Sequence, residues 1–322
     1  MLKNKKILLT GGAGFIGTKL IARLVNQNEL TIYDNLSRNS LKSTNLASHS
    51  NVKLVTGDVL DYESLRQVVK DQQIIIHLAG IAGIDTVLRS PVRTFRVNLL
   101  GTANICEAAS ESGKCERLID FSTSEVFGQV AFRSDESQQT TLGAVGEPRW
   151  NYAVSKLAGE HLAHAYYKEF GLPTTSVRPF NIYGPGQVGE GALQRFVLAA
   201  LKNEPLKIFG DGSQIRSWCY IDDFVDCLLL CLENSNAIGQ VFNIGNPQAS
   251  ITVFSLAETV LRLVATRSQI EFVTRTGADV ELRIPSIEKA QQILGFTPKI
   301  NLDEGILRTS QWYQSNVQDS YV

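Results

Sequence analysis

Short runs of consecutive apolar residues alternate along this chain with stretches whose apolar positions recur at helical spacing. Lys5 to Leu9 is the first run, and helical spacing follows over Lys19 to Val25. Leu30 to Tyr33, Val52 to Thr56 and Ile74 to Gly80 are the next runs, with a helix over Asp61 to Lys70 between the last two. Runs without polar alternation suit strands buried on both faces, and their alternation with helices predicts a parallel sheet. Ser90 to Ser112 reads as one long helix with Pro91 near its start, in which Asn98 and Gly101 are polar and small positions suited to close packing. Arg117 to Phe121 and Thr174 to Arg178 are two further strands, flanking a helix from about Trp150 to Phe170. Between them, Val126 to Arg149 is rich in Gly, Ser, Gln and Thr and reads as an irregular surface loop able to cover a site. After Pro179 the elements become shorter and mixed. The pattern therefore predicts an α/β protein: a Rossmann-type doubly wound parallel sheet over residues 1–179 and a smaller mixed α/β substrate domain over 180–322. Part of 215–245, Val241 to Ile244 above all, can return to the first domain.

The first run enters Gly11-Gly12-Ala13-Gly14-Phe15-Ile16-Gly17. Glycines at 11, 14 and 17 permit a tight turn, close approach of backbone to a pyrophosphate, and close packing of helix on strand. The phosphates would sit on the N-terminus of the helix that Phe15 and Ile16 open. The second run ends in Asp34, followed by Asn35. An acid at this point suits the two ribose hydroxyls of NAD and repels the extra phosphate of NADP, whereas nearby Arg38 would favour NADP; NAD is the cofactor expected. Asp58, next to Val59, would either face the adenine amino group or cap the helix from Asp61. The fourth run ends in Leu78-Ala79-Gly80, small enough for a cofactor to pass closely, and His77 within it reads as a core histidine because no carboxylate adjoins it in sequence.

Ser122-Thr123-Ser124-Glu125 follows the fifth strand, at the end of the sheet where open parallel sheets place ligands. Downstream, Tyr152 and Lys156 lie four residues apart and so share a helix face. A phenol is a poor base at neutral pH, and an ammonium one turn away favours the phenolate. A hydroxyl from Ser122, Thr123 or Ser124 could hold the substrate oxygen whose proton Tyr152 takes. Tyr-x-x-x-Lys alone usually marks a solvated helix face; the glycine fingerprint in the same half-chain is what makes it a catalytic candidate.

Composition removes alternatives rather than adding any. The 322 residues carry 31 basic and 32 acidic side chains, which leaves no argument for a nucleic-acid or acidic-membrane partner. The five cysteines are scattered, and Cys227 and Cys231 read as packed thiols one helical turn apart. His161 and His164 have helical spacing but no third ligand follows, so no metal is expected. The basic N-terminus is followed by Ile7-Leu8-Leu9, but Thr10-Gly11-Gly12 interrupts that run too early for a signal peptide, and no run has transmembrane length. The expectation is a cytoplasmic protein.

These motifs together resemble an extended short-chain dehydrogenase/reductase of the branch that remodels nucleotide-activated sugars. The likeness rests on Thr10-Gly-Gly-Ala-Gly-Phe-Ile-Gly17, Tyr33-Asp34-Asn35, Gly57-Asp58, His77-Leu78-Ala79-Gly80, Ser122-Thr-Ser-Glu-Val-Phe-Gly128, Tyr152-x-x-x-Lys156, Arg178-Pro-Phe-Asn181, Gly184-Pro-Gly186, Gly210-Asp-Gly-Ser-Gln-Ile-Arg216 and Asn243-Ile-Gly-Asn246. It implies NAD used and regenerated in each cycle, a nucleoside-diphosphate sugar as substrate, and a homodimer built on the helices at 90–112 and 150–170. It also implies catalysis by Thr123, Ser124, Glu125, Tyr152 and Lys156. Gly11, Gly14, Phe15, Ile16, Gly17, Asp34, Asn35, Arg38, Asp58, Val59, Leu78, Ala79, Gly80 and Asn98 would stand along the cofactor, together with Tyr152 and Lys156. Arg149, Asn181, Arg216 and Arg283 would face the substrate.

Within that family, Thr123-Ser124-Glu125, Pro148-Arg149 and Asp279-Val-Glu-x-Arg283-x-Pro285-Ser-Ile287 match UDP-glucuronate decarboxylases. The similar 4-epimerases usually have a small residue in place of Glu125, and the 4,6-dehydratases tend to have Asp-Glu at 124–125. Ser217-Trp218 after Arg216 is a variant context. Glu125 could orient a sugar carboxylate, deliver a proton at carbon 5, or simply satisfy backbone at a strand end. A 4-epimerase and a dehydratase remain as alternatives. A catalytically silent NAD-binding scaffold is the alternative of another class, against which the intact Ser124, Tyr152 and Lys156 argue.

Overall fold

The computed structural model describes residues 2–274, 277 and 279–316. Its first half repeats strand and helix: β1 (Lys6–Thr10), α1 (Phe15–Leu24), β2 (Glu29–Asp34), β3 (Val52–Thr56), α2 (Tyr62–Val69), β4 (Ile74–His77), α3 (Ile84–Arg89), α4 (Pro91–Phe95), α5 (Gly101–Ser112) and β5 (Arg117–Phe121). Then come β6 (Val130–Ser134), α6 (Pro148–Phe170), β7 (Thr174–Pro179), β8 (Ile182–Tyr183), β9 (Leu206–Phe209), β10 (Ile215–Ser217), β11 (Cys219–Tyr220), β12 (Val241–Ile244), β13 (Ser250–Thr252), β14 (Ile270–Val273) and β15 (Leu282–Pro285).

Seven strands form one parallel sheet in the order β12-β7-β5-β4-β1-β2-β3. The order reverses between β4 and β1, which opens a crevice at the carboxyl ends of those strands. Strand alternation divides the apolar residues between two faces. Ile7, Leu9, Ile32, Ile76, Ile119 and Val177 pack with α1 and the helix Ile221–Glu233, whereas Leu8, Ile75 and Leu118 pack with α2 and α5. Val241–Ile244 lies in register beside β7 at the sheet's edge.

Two elements depart from expectation. Residues 126–149 are not wholly irregular: a 3₁₀ turn covers Ser124–Phe127 and β6 follows as the edge of a second sheet, β13-β10-β15-β6. The strand partner of β6 is β15, about 150 residues away, so nothing local signals the pairing. The helix expected over 90–112 runs without a gap from α4 into α5 but widens into a π turn at Arg96–Leu100. Such widened turns concentrate at functional sites, and this one holds Asn98. His77 is a core histidine: it is fully buried, 2.7 Å from Thr10 Oγ1 and 3.2 Å from Thr102 Oγ1, and burial lowers its pKa to about 3. Cys227 and Cys231 are buried thiols. No helix among the described residues is long and apolar enough to cross a membrane.

Candidate active site

The crevice is floored by the turn from β1 into α1. Gly11 has φ +68°, and a Cβ there would stand 2.6 Å from Ala79 N; one on Gly17 would stand 2.4 Å from Gly12 O. Only glycine permits these two approaches. At the start of α1 no side chain caps the helix and no acid occupies its first turn, so its amide dipoles are left to an anion. Asp34 closes one side of the turn, accepting from Ala13 N at 3.0 Å and from Leu36 N at 2.7 Å. Burial raises its pKa, and those two hydrogen bonds pull it back down. Asn35 serves its own loop, accepting from Ser37 N at 3.1 Å. The glycine cradle, the uncapped helix and the fixed carboxylate fit a dinucleotide with free ribose hydroxyls.

Asp58 does not cap α2, because Asp61 does, accepting from Ser64 N at 3.2 Å. Asp58 instead accepts from Leu60 N at 3.0 Å and faces Arg93 at 3.7 Å, while buried Val59 lies under Gly101. Leu78, Ala79 and Gly80 continue β4 along the crevice. Asn98 accepts from Ile81 N at 2.7 Å and donates to Ile81 O at 3.0 Å and Ser155 Oγ at 3.1 Å, pinning the segment after β4 onto α6.

Arg38 is held within the protein. Its guanidinium donates at 3.1 Å to both Thr86 Oγ1 and Glu190 Oε1, while Asp85 N donates to Glu190 Oε2 at 2.7 Å. Ser40 Oγ also donates to Gly186 O at 3.0 Å. Residues 186–190 thus join the loop after β2 to the loop after β4, across the end of β1 that lies between those strands. Glu190 carried no local signal in the sequence.

This arrangement gives a specific expectation. Asp34→Ala should narrow the preference for NAD over NADP by roughly tenfold, about 1.4 kcal/mol. It should not reverse the preference, since Arg38 stays bound to Glu190. Titration calorimetry with both cofactors checks this, and equal wild-type affinity for the two would refute the role given to Asp34.

At the other end of the crevice, β5 delivers Ser122, Thr123 and Ser124, all buried, and Thr123 Oγ1 accepts from Glu125 N at 3.2 Å to turn the chain. Helix α6 brings Tyr152 and Lys156 to the same place. Thr123 hydrogen-bonds Tyr152, yet burial dominates and pushes the phenol up to about 12, with Glu125 raising it further and Arg38 lowering it. Lys156, on the same helix, is buried, and burial lowers its own pKa. Its Nζ lies 3.4 Å from where a Cβ on Gly80 would be, at the end of β4.

Around Glu125 stand the arginines. Arg149, 9% exposed, lies 3.3 Å from Glu125 Oε1 and 2.9 Å from Asp279 Oδ1. Arg216 approaches Asp279 at 3.6 Å and donates to Val280 O at 2.5 Å. Arg283, 2% exposed, donates to Gly128 O and lies 3.5 Å from Ser124 Oγ; burial lowers its pKa to about 10 against the pull of Glu125. Among the described residues, Ser122 Oγ, Arg149 Nε and Arg283 Nε are buried without a hydrogen-bond partner. Asn181, expected to reach phosphate, donates its amide to Ser217 O at 2.9 Å and has φ +41°, so it fixes the chain between β7 and β8. Among the described residues no group of three metal-ligating side chains occurs, and His161 and His164 are exposed.

A switch-point crevice with a glycine cradle and a Tyr-x-x-x-Lys helix beside Thr and Ser defines an extended short-chain dehydrogenase/reductase. The family model described as "NAD dependent epimerase/dehydratase family" matches residues 7–245, and the chain belongs to that family, with NAD as its cofactor. A UDP-N-acetyl-alpha-D-glucosaminuronate decarboxylase of Bacillus cytotoxicus is 31% identical over 98% of this chain and 100% of its own. UDP-glucuronic acid decarboxylase 1 of Danio rerio is 34% identical over 98% of this chain and 74% of its own. Among solved structures, a UDP-glucuronic acid 4-epimerase of Bacillus cereus in complex with UDP-glucuronic acid and NAD superposes with a TM-score of 0.88, at 29% identity, covering 97% of this chain and 99% of that one.

Proposed function

We propose that the protein decarboxylates a UDP-uronic acid, UDP-glucuronate in the first instance, through oxidation at carbon 4. The observation that carries this reading is the charge arrangement beside the reacting hydroxyls. Three arginines, 149, 216 and 283, gather around two carboxylates, Glu125 and Asp279. Arg149 Nε and Arg283 Nε are buried guanidinium donors without a hydrogen-bond partner, and they suit the oxygens of a sugar carboxylate.

Bound NAD supplies the hydride acceptor for carbon 4 and, when oxidised, a positive ring. Tyr152 takes the carbon-4 hydroxyl proton, and Thr123 and Ser124 hold that oxygen as charge develops on it. Lys156 adds a fixed positive charge to the same site. The 4-keto uronate is a β-keto acid, from which carbon dioxide leaves once the resulting enolate is stabilised; the Glu125 carboxylate, paired with Arg149, would then pass to carbon 5 a proton taken up from water. The solved UDP-glucuronic acid 4-epimerase supports a second reading, in which the same keto sugar turns over and is reduced on its other face without loss of mass.

Leu88, Val92, Leu100 and Val154 are exposed on α3 to α6, which supports a homodimer through this layer. The protein is proposed to work in the cytoplasm, where nucleotide sugars of this kind would reach it. Incubation with UDP-glucuronate followed by mass spectrometry tests the reaction. Loss of carbon dioxide is expected; unchanged mass with a shifted retention time makes the protein an epimerase, and loss of water from UDP-glucose makes it a dehydratase.

A further inference from the structure

The segment 184–191 is tied down on both of its sides. On the outer side, Gln187 O accepts from Tyr313 Oη at 2.6 Å and from Gln194 Nε2 at 2.6 Å, which holds it to the helices Leu302–Asn316 and Ala192–Lys202. On the inner side, the Glu190 carboxylate spans the two segments that flank the end of β1. Its Oε1 accepts from Arg38 Nη2 at 3.1 Å, on the loop after β2, and from Thr86 Oγ1 at 2.5 Å, in α3. Its Oε2 accepts from Asp85 N at 2.7 Å. Arg38 Nη2 also donates to Thr86 Oγ1 at 3.1 Å, so the three side chains close a ring.

The surroundings fit that carboxylate closely. The Glu190 side chain is 13% exposed, and the donors on its two oxygens offset the cost of removing its charge from water. Gly83 has φ +99°, and a Cβ there would meet the Glu190 carboxylate at 2.7 Å, so the acid packs directly on the backbone that leads into α3. Arg38 in turn stands beside the cofactor cradle. Its carbonyl oxygen lies 4.0 Å from where a Cβ on Gly14 would be, at the uncapped start of α1. Two residues on, Ser40 donates from its amide to Ala13 O at 2.8 Å and from its hydroxyl to Gly186 O at 3.0 Å. The loop after β2 is thus fastened to the glycine turn on one side and to residues 186–190 on the other.

We propose that Glu190 is a positioning residue whose carboxylate latches residues 184–191 as a strap across the turn between β1 and α1, so that NAD enters and leaves only when the strap lifts. The proposal holds whichever sugar the protein acts on. Lifting the strap breaks one charge-assisted Arg–carboxylate bond and two further hydrogen bonds to the same acid, while the outer anchors at Gln187 stay in place as the hinge. Every bond of the latch joins protein to protein, so it opposes entry of the cofactor as much as exit. A side chain that merely touched the cofactor would slow exit alone. The latch therefore sets how often the crevice is open, and both rates scale with that open fraction.

Glu190→Ala tests this by stopped flow, with NADH fluorescence reporting entry on mixing with the protein and exit on chasing with excess NAD. Both rates should rise roughly tenfold, the effect of removing a charged hydrogen-bonding group from the closed state, with the dissociation constant little changed. A purely structural residue would lower the melting temperature and leave both rates in place. An unchanged exit rate overturns the proposal. A faster exit with unchanged entry also overturns it, because Glu190 would then support a binding contact and not a latch. If Glu190→Ala does not fold, Thr86→Val decides by the same measurement. It removes the hydroxyl that joins Arg38 to Glu190 and should speed both rates about threefold, the scale of one such hydrogen bond; unchanged rates overturn the proposal. No sugar enters either measurement, so the outcome is independent of the decarboxylase reading.

Discussion

Tyr152→Phe is expected to lower turnover by about 100-fold or more, the usual worth of a positioned general base, while binding NAD with unchanged affinity. The geometry explains both halves. The phenol meets Thr123, the residue that turns β5 into the Ser124–Phe127 turn, so its hydroxyl lies where a sugar oxygen would be held. The cofactor cradle, by contrast, is built from the β1–α1 turn and Asp34 and does not depend on the phenol. With burial pushing the phenol to about 12, proton transfer at neutral pH requires positive charge brought close to it. Turnover should therefore rise with pH from neutrality until the Lys156 ammonium is lost. Stopped-flow absorbance of the cofactor with calorimetric NAD binding checks the expectation; unimpaired turnover in Tyr152→Phe removes the tyrosine from the mechanism.

What the sequence made legible is what local chemistry dictates. The glycines at 11 and 17 are required by backbone approaches of under 3 Å, and Asp34 ends a strand adjacent to the one that enters the turn. Six strands of the large sheet could be read from short runs rich in apolar residues, because a parallel sheet covered on both faces has little polar alternation to hide them. Features set by long-range partners were not legible. Strand β6 has exposed Val130 and Phe132 and becomes a strand only against β15. Glu190 meets Arg38, Thr86 and Asp85 from a segment over 100 residues away. Asp120 looked like one polar interruption in Arg117–Phe121, and only the register with His77 and Ser176 shows it to be part of a row. The π turn at Arg96–Leu100 left no mark in the helical spacing. Arg149 and Asn181 show the converse limit: their side chains were identified as substrate donors, but the fold also uses them to hold Glu125, Asp279 and Ser217.

Glu125→Gln is expected to separate oxidation from decarboxylation. Glu125 follows directly on the two residues that would hold the carbon-4 oxygen, and the 3₁₀ turn at Ser124–Phe127 carries it out of strand alternation toward Arg149 and Arg283. A 4-epimerase has no proton to place at carbon 5, whereas a decarboxylase has an enolate there to protonate after carbon dioxide leaves. The glutamine keeps the size of the side chain and can still accept from Arg149, so the fold and the arginine should stay in place. What it loses is one negative charge and, with it, the capacity to take up a proton from water and pass it on. That charge raises the Tyr152 phenol, so its removal should ease the first proton transfer rather than impede it. With UDP-glucuronate, Glu125→Gln should therefore reduce bound NAD at least as fast as the wild type, yet release carbon dioxide and pentose product roughly 100-fold more slowly, the scale of a lost general acid or base. The two rates are read in one experiment, cofactor absorbance for the oxidation and mass spectrometry of quenched samples for the product. If both rates fall together, Glu125 acts in binding or in the oxidation itself; if neither changes, it is a strand-end residue and the decarboxylase assignment loses its acid.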